Sequence, residues 1–246
     1  VLDPSGTFDF VIDWGDGNTD TITDPFQSEL IHTYNTIGTY TITMTGIING
    51  FNMQYFSGDY GKILTIEQWG NVKIIDGSGQ FYYCYNLDLS TVTDVLDTSN
   101  LTDISYMFGE CYGLTSINNI ELWDVSNIFN MSGMFYNTQF NSPLSGWDVS
   151  NVQVMEYMFY GTPFNQDIGN WNISNVYNFI EFMGDKTPLT FSTTNLDSIY
   201  NGWSSLPSLQ PGINISFGSA KYTSASSAGK LILTGTYGWT ITDGGI

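Results

Sequence analysis

The sequence predicts a mainly β protein: a solenoid of coils about 24–27 residues long, preceded by a separate β module. Two repeated sequence motifs support this prediction. In the first, Trp or Leu is followed by Asp or Asn, a β-branched residue, Ser and Asn; in the second, a Met-Phe pair follows. Because one repeat of this length cannot bury its own apolar face, neighbouring copies must pack together into one core.

The first 50 residues predict the β module. Residues 8–14 predict a strand, and residues 15–18 predict a turn after it. Residues 39–45 alternate with a period of two, which predicts a further strand with one buried face.

Three tryptophans mark the regular repeats, because Trp123, Trp147 and Trp171 follow one another at intervals of 24 residues. The apolar residues around them are expected to form inward columns, and each repeated asparagine is expected to hydrogen-bond the backbone of the next coil. The positions predicted to be structural are these tryptophans, Asn127, Asn151, Asn175, Phe108, Phe135 and Phe159.

We therefore expect four units along the chain. They are the β module at 1–50, a junction with a capping coil at 51–95, the repeats at 96–183 and a C-terminal cap at 184–246. In the cap, small residues at 219–228 predict a short helix, and residues 231–233 followed by 238–245 predict a final strand.

Acidic residues dominate the charge of the 246-residue chain: 24 Asp and Glu stand against five Lys, Arg is absent, and the net charge is −19. Nucleic-acid binding through phosphates needs clusters of Lys or Arg and is therefore excluded. No apolar run reaches the length of about 18 residues that a membrane helix needs, so we expect no membrane insertion of this segment. Because the chain starts at Val1, we expect a mature or partial product of a longer protein.

The two cysteines, Cys84 and Cys111, occupy equivalent repeat positions, 27 residues apart. Neighbouring coils about 4.8 Å apart would bring them within disulfide range. The alternative is a pair of buried thiols in a packing column that Thr138 and Thr162 continue, and the sequence leaves both interpretations open.

Repeated carboxylates are the candidate metal ligands. Asp124 and Asp148 share one column, and like charges about 5 Å apart repel unless a cation such as calcium neutralises them. Asp13 and Asp16 form a second candidate calcium loop. The alternative is that each carboxylate caps its own turn through local hydrogen bonds. No other cofactor is expected.

Catalytic motifs are missing from the sequence. His32 is the one histidine and no Ser-His-Asp motif surrounds it, and no phosphate loop, zinc-protease motif or Cys-x-x-Cys is present. We therefore expect no enzymatic activity.

Tyrosines beside the Met-Phe columns are the better candidates for function. Exposed as a stripe, they would stack on sugar rings or contact a protein partner. The alternative is partial burial at the coil edges. The predicted binding residues are Tyr106, Tyr136, Tyr157, Tyr160 and Tyr177.

A Trp-Gly-Asp-Gly turn, a His-x-Tyr motif and a Gly-x-Tyr strand appear at residues 14–17, 32–34 and 38–40. Together they resemble a PKD-type immunoglobulin-like β-sandwich. The motifs cover about 45 residues, fewer than a complete domain of this type, so the resemblance implies a partial sandwich.

Residues 140–159 and 164–176 follow the pattern Phe-Asn-x-x-Ile/Leu-x-x-Trp-Asp-Val-Ser-Asn-Val-x-x-Met-x-x-Met-Phe over the parts that they cover. This pattern resembles the repeat of BspA-type leucine-rich-repeat surface proteins, over about 90 residues. The resemblance implies a leucine-rich-repeat-like solenoid on a cell or particle surface, with no enzymatic activity.

We therefore expect a non-catalytic extracellular adhesion or display protein that binds a glycan or a protein on another cell surface. Exposed coil edges would also permit self-association. Two alternatives stay open: a structural fibre or capsid-decoration protein on the virion surface of a virus or phage, and an accessory binding module of a larger secreted enzyme.

Overall fold

A computed structural model describes residues 2–51, 60–75 and 77–246. Val1, residues 52–59 and Asp76 lie outside the described residues. The predicted module at 1–50 and the predicted junction at 51–95 are therefore each described in part.

Four strands form one sheet in the N-terminal part of the chain. They are β1 (Leu2–Asp13), β2 (Thr19–Ile22), β3 (Thr43–Phe51) and β4 (Lys73–Ile74), in the spatial order β2-β1-β3-β4. Strand β1 pairs antiparallel with β2 and β3, and β3 pairs parallel with β4. Along β1 the buried residues Phe8, Phe10 and Ile12 alternate with exposed ones, as one covered face requires.

The motif residues after β1 pack into an aromatic cluster. The ring of Trp14 stacks on His32 at 4.7 Å, and Tyr34 meets His32 edge-on at 4.7 Å. Tyr34 also stacks on Tyr40 at 4.0 Å. Gly15 has a φ of +77°, and a Cβ there would lie 2.5 Å from a backbone oxygen, so this turn requires glycine.

The predicted immunoglobulin-like sandwich is wrong. A sandwich needs a second sheet against the inner face of the first. In the described ranges, the chain between β2 and β3 contains only a 3-10 turn at Ser28–Leu30 and irregular loops, which supply Leu30 and Tyr34 to the core. The strand predicted at 39–45 is also displaced, because β3 begins at Thr43.

Backbone hydrogen bonds join successive repeats. The amide of Phe81 donates to Met107 O at 2.8 Å, and the amide of Phe108 donates to Met134 O at 3.0 Å in the next repeat. Isolated parallel bridges pair Asp103 with Asn130, Asn130 with Val154, and Val154 with Asn178. Phe81, Phe108, Phe135 and Phe159 stack ring on ring at 5.5, 6.1 and 5.9 Å, so the apolar core continues from one repeat to the next.

The predicted mainly β, leucine-rich-repeat-like solenoid is also wrong. In the described residues, neighbouring repeats share single bridges and turns, and the chain forms only a four-stranded and a two-stranded sheet. The cause lies in the backbone: three residues after each bridge position, Tyr106, Gly133 and Tyr157 have positive φ. A left-handed residue ends an extended segment, so the pairing between repeats stays at single bridges and does not lengthen into strands. The chain is a mixed fold of small sheets, turns and short helices.

Two helices and a small sheet cover the C-terminal end of the core. They are α1 (Thr193–Ser204), α2 (Ser227–Leu231) and the parallel strands β5 (Asn214–Ser216) and β6 (Thr240–Thr242). Further short turns are 3-10 helices at Ile120–Leu122 and Ser224–Ser226, and a π-helix lies at Ile232–Thr236. The predicted final strand is therefore limited to β6, because residues 231–233 are helical.

Helix α1 packs one face into the core. The Ser192 hydroxyl caps it by accepting the amide of Asn195 at 3.2 Å. Its buried residues are Leu196, Ile199, Tyr200 and Trp203. No helix in the part of the chain that the structure describes has the length and apolar character that a membrane crossing requires.

Candidate functional site

Two columns of equivalent positions cross successive repeats at intervals of 27 or 24 residues. One column consists of Gly79, Tyr106, Gly133, Tyr157 and Glu181. The other lies three residues later in each repeat and consists of Tyr82, Gly109, Tyr136, Tyr160 and Gly184. In the first three repeats, tyrosine alternates between the columns and glycine occupies the other position.

Five tyrosines of these columns form a continuous series of ring contacts, which we call the tyrosine row: Tyr82, Tyr106, Tyr136, Tyr157 and Tyr160. The centroid distances are 6.0 Å from Tyr82 to Tyr106, 6.3 Å from Tyr106 to Tyr136 and 6.0 Å from Tyr136 to Tyr157, all edge-to-face. Tyr160 lies 5.9 Å from both Tyr136 and Tyr157. All five residues are half-buried, so the row is packed on one side and open to solvent on the other.

The glycines make room for the rings. A Cβ on Gly133 would lie 2.2 Å from Cε1 of Tyr106, and a Cβ on Gly109 would lie 3.0 Å from the ring of Tyr82. Each of these rings therefore covers the α-carbon of a glycine in the next repeat. Each ring therefore requires a glycine at the position that it covers, whereas the glycine does not require the ring.

The row also holds bulky residues in an unfavourable backbone conformation. Tyr106 and Tyr157 have φ of +52° and +54°, where Gly79 and Gly133 have φ of +60° and +57° in the equivalent positions. This region costs a non-glycine L-residue about 1–2 kcal/mol, whereas glycine adopts it freely. Glu181 has a φ of +51° in the same column, so the repeat backbone imposes this conformation on whichever residue occupies the position.

Acidic groups border the tyrosine row. Burial raises the pKa of Tyr82, and the charge of Glu110 raises it further; burial and the charge of Glu156 act in the same way on Tyr106. These phenols are therefore neutral near pH 7 and can donate a hydrogen bond. The two carboxylates accept asparagine side-chain hydrogen bonds from the next repeat at 3.2 and 2.7 Å.

A depression of about 290 Å³ lies at the N-terminal end of the row. It is lined by Tyr60, Ser78, Gly79, Tyr82 and Tyr106. Three tyrosines therefore line one open space, beside Ser78, whose Oγ atom lies 3.0 Å from Oγ of Ser105.

Four of the five tyrosines predicted to bind lie in the row, and Tyr177 does not. Its side chain is 58% exposed and stands outside both columns. The prediction missed Tyr82 and Tyr60. The repeat spacing could have identified Tyr82, which is in phase with Tyr136, whereas Tyr60 has no counterpart in the repeats.

The carboxylates of Asp13 and Asp16 are held within the N-terminal turn. The Oδ1 atom of Asp13 accepts the amide of Gly15 at 2.9 Å, and Oδ1 of Asp16 accepts the amide of Asn18 at 3.0 Å. The Oδ2 atom of Asp16 lies 2.8 Å from Nε2 of His32, and this hydrogen bond holds the pKa of Asp16 below its ordinary value. Both carboxylates thus shape the turn.

Asp124 and Asp148 cap their own turns in the same way. The Oδ1 atom of Asp124 accepts the amide and hydroxyl of Ser126 at 3.0 and 2.6 Å, and Oδ1 of Asp148 accepts the amide of Ser150 at 3.0 Å. Hydrogen bonds from these serines lower the pKa of both carboxyls. Nowhere in the described ranges do three His, Cys, Asp or Glu side chains group to hold a metal ion. The predicted calcium sites therefore have no ligand cluster, because local donors engage each carboxylate.

The repeated tryptophans and asparagines connect neighbouring repeats. Trp123, Trp147 and Trp171 are buried, and the last two donate from Nε1 to carbonyl oxygens one repeat earlier at 2.8 and 3.0 Å. Asparagine Nδ2 atoms donate to backbone carbonyls at 3.2, 2.7 and 2.7 Å from Asn127, Asn151 and Asn175. Each of these carbonyls belongs to the preceding repeat, not to the next one as predicted.

The cysteines are free thiols in the core. Burial raises the pKa of Cys84 to about 11 and raises that of Cys111 as well. The Sγ atom of Cys111 donates to Phe81 O at 3.0 Å. In the described state, the pair therefore fills a packing column.

Lys186 ends the column that the cysteines begin, 24 residues after Thr162. Its side chain is fully buried, and the ammonium donates to Thr162 O and lies 3.3 Å from Thr162 Oγ1. Burial lowers the pKa of Lys186 to about 8. This lysine therefore satisfies a carbonyl at the end of the repeats.

Two segments of the chain, 51–162 and 112–199, match a family model described as "Mycoplasma protein of unknown function, DUF285". Together they cover residues 51–199, more than half of the 246 residues, and they contain the whole tyrosine row. The matched model is neither a leucine-rich-repeat model nor a PKD model. No curated protein and no solved structure matches the chain.

Proposed function

Because the chain belongs to the DUF285 family, which is found in BspA-like surface proteins, we propose that it is a BspA-like surface protein that binds a partner through the tyrosine row. The partner is a glycan or a protein on another cell surface, and the binding is non-catalytic. The observation that carries this proposal is the continuous, half-exposed series of five tyrosine rings.

Tyrosine suits this role for physical reasons. Each ring offers a large apolar area with few rotatable bonds, and its hydroxyl adds one hydrogen bond at the rim. The steric pairing of Tyr106 with Gly133 restricts the ring before a partner arrives. Such pre-organisation reduces the entropy lost on binding.

Three side chains that could supply acid–base chemistry make structural contacts, which supports recognition over reaction. His32 stacks on Trp14 and bonds Asp16 in the N-terminal cluster. The carboxylates of Glu110 and Glu156 accept asparagine amides beside the row.

The proposal is tested by adhesion and by localisation. Beads coated with the chain are expected to adhere to target cells, and a Tyr106→Gly, Tyr157→Gly double variant is expected to lose most of this adhesion. Glycine occupies the first column naturally at Gly79 and Gly133, so the fold should tolerate it. Tyr177→Gly is the matched control, because Tyr177 lies outside the row.

Immunogold microscopy of the producing cells, with an antibody to this chain, should label the cell envelope. Adhesion that is equal for wild type and the double variant would exclude the row as the binding surface. Label confined to the cell interior would exclude a surface protein.

A further inference from the structure

Resting on the proposed function, we infer that the tyrosine row recognises an uncharged glycan chain, with one sugar ring in the depression between Tyr60, Tyr82 and Tyr106. A sugar ring has an apolar face of C–H groups and a rim of hydroxyls. The depression presents the complementary groups, because each of its tyrosines combines an apolar ring with a phenol hydroxyl.

The regular spacing of the row fits a linear polymer of repeated units. Successive ring centroids are 6.0, 6.3 and 6.0 Å apart from Tyr82 through Tyr157. A glycan chain can place one unit after another along such a series.

An extended peptide is a poorer fit, because it would need backbone partners as well as side-chain contacts. Backbone amides along the row already bond neighbouring repeats: Tyr106 N donates to Ser132 O at 2.7 Å, and Tyr157 N donates to Ile180 O at 2.9 Å. The row therefore offers rings and hydroxyls without a free strand edge.

The negative charge of the protein favours an uncharged ligand over an anionic one. The chain carries −19, and Glu110 and Glu156 border the row, so an anionic sugar would be repelled. Of the five lysines, four are engaged elsewhere: Lys73 with Asp97, Lys186 in the core, Lys221 with Ile246 O and Lys230 with Asp243.

A basic protein partner would need accessible carboxylates along the row. Glu110 is only 7% exposed, so a lysine or arginine of a partner cannot readily reach it. The carboxylate of Glu156 accepts the Asn178 amide at 2.7 Å. Glu110 therefore repels anions without offering an open site for cations, and one oxygen of Glu156 is already occupied.

Affinity electrophoresis in native gels tests the inference. The probes are four uncharged polysaccharides (mannan, galactan, a soluble β-1,3-glucan and hydroxyethyl cellulose), with heparin as the anionic probe and poly-L-lysine as the cationic probe. We expect at least one uncharged probe to retard the protein, and Tyr106→Gly to weaken that retardation about tenfold, the effect of losing one stacked ring. Tyr106→Phe and Tyr177→Gly should change the retardation by less than about twofold.

The outcomes separate this inference from the proposed function. If none of the uncharged probes retards the protein while the double variant still abolishes adhesion to cells, the glycan is excluded and the binding role stands. Tyrosine-dependent retardation by poly-L-lysine alone would point to a basic protein and overturn the glycan. Equal retardation of wild type and Tyr106→Gly by an uncharged probe would place the sugar site outside the row.

Discussion

A single glycine decides whether a ring of the row can lie flat on the next repeat. Gly133 has a φ of +57°, and a Cβ there would lie 2.2 Å from the Tyr106 ring. We expect Gly133→Ala to lower the free energy of unfolding by about 2 kcal/mol, through left-handed backbone strain and displacement of the ring. Urea unfolding measures this difference.

Gly70→Ala is the matched control, since Gly70 has a φ of +58° and its added Cβ would meet no described atom within 4 Å, so it carries the backbone strain without a neighbouring ring. Equal destabilisation by both substitutions would show that the Tyr106 ring does not depend on the space at Gly133.

Lys186 makes the stability of the protein depend on alkaline pH. Its pKa is about 8 in the folded protein against an ordinary 10.5, so between these values the unfolded chain binds more protons. The free energy of unfolding therefore rises with pH across this window, by about 3 kcal/mol from this group at 1.36 kcal/mol per pKa unit. Below pH 8 both states hold the proton and this contribution is constant.

The test measures the free energy of unfolding of wild type and of Lys186→Met in urea, at several pH values between 8 and 10.5. Tyrosine ionisation affects both proteins, so it cancels in the difference. We expect the stability of wild type to rise relative to that of the variant over this range. Parallel pH profiles would contradict the burial of a charged ammonium at Lys186.

At the scale of structural elements, asparagine side chains supply hydrogen bonds between neighbouring repeats that strands of a sheet would otherwise make. Asn151 donates to Ser126 O of the preceding repeat at 2.7 Å. We expect Asn151→Ala to cost about 1 kcal/mol, the net value of such a hydrogen bond. Thermal unfolding measures it. Asn151→Asp, which keeps the size but loses the donor, should be destabilised at least as much; full stability of the aspartate variant would argue against the hydrogen bond.

Some elements could be predicted because a regular spacing of apolar residues is visible within a short stretch of sequence. The alternation of Phe8, Phe10 and Ile12 predicted the core of β1, and the repeat spacing predicted which residues are neighbours. Helix α1 was missed although Leu196, Ile199 and Trp203 have helical spacing and Ser192 is a favourable cap. The repeat pattern of the preceding residues does not extend into this segment, so the helical spacing is the signal that identifies it.

The backbone of the repeats was not predictable in the same way. A solenoid required extended residues after each bridge, whereas Tyr106 and Tyr157 adopt left-handed conformations that tyrosine rarely takes. The tyrosines themselves give no sign of a left-handed conformation. The sign is the glycine that occupies the equivalent position in other repeats. Comparing equivalent positions of the repeats would also have added Tyr82 to the predicted binding residues and removed Tyr177.

For the whole molecule, the net charge of −19 opposes folding through self-repulsion. Added salt screens this repulsion, with a Debye length of about 8 Å at physiological ionic strength. We therefore expect the midpoint of thermal unfolding to rise between low salt and about 0.5 M NaCl, where screening is stronger still. Potassium glutamate at equal ionic strength separates screening from chloride binding. A midpoint that falls in both salts would mean that attractive ion pairs dominate.

The proposed role of the protein depends on the tyrosine row being the surface that a partner contacts. Hydroxyl-radical footprinting read by mass spectrometry measures this directly, on the protein with and without adherent target cells. We predict protection of Tyr106, Tyr136 and Tyr157 on binding, with Tyr177 labelled equally in both samples. Protection of Tyr177 or of the N-terminal sheet, with no change along the row, would contradict the account.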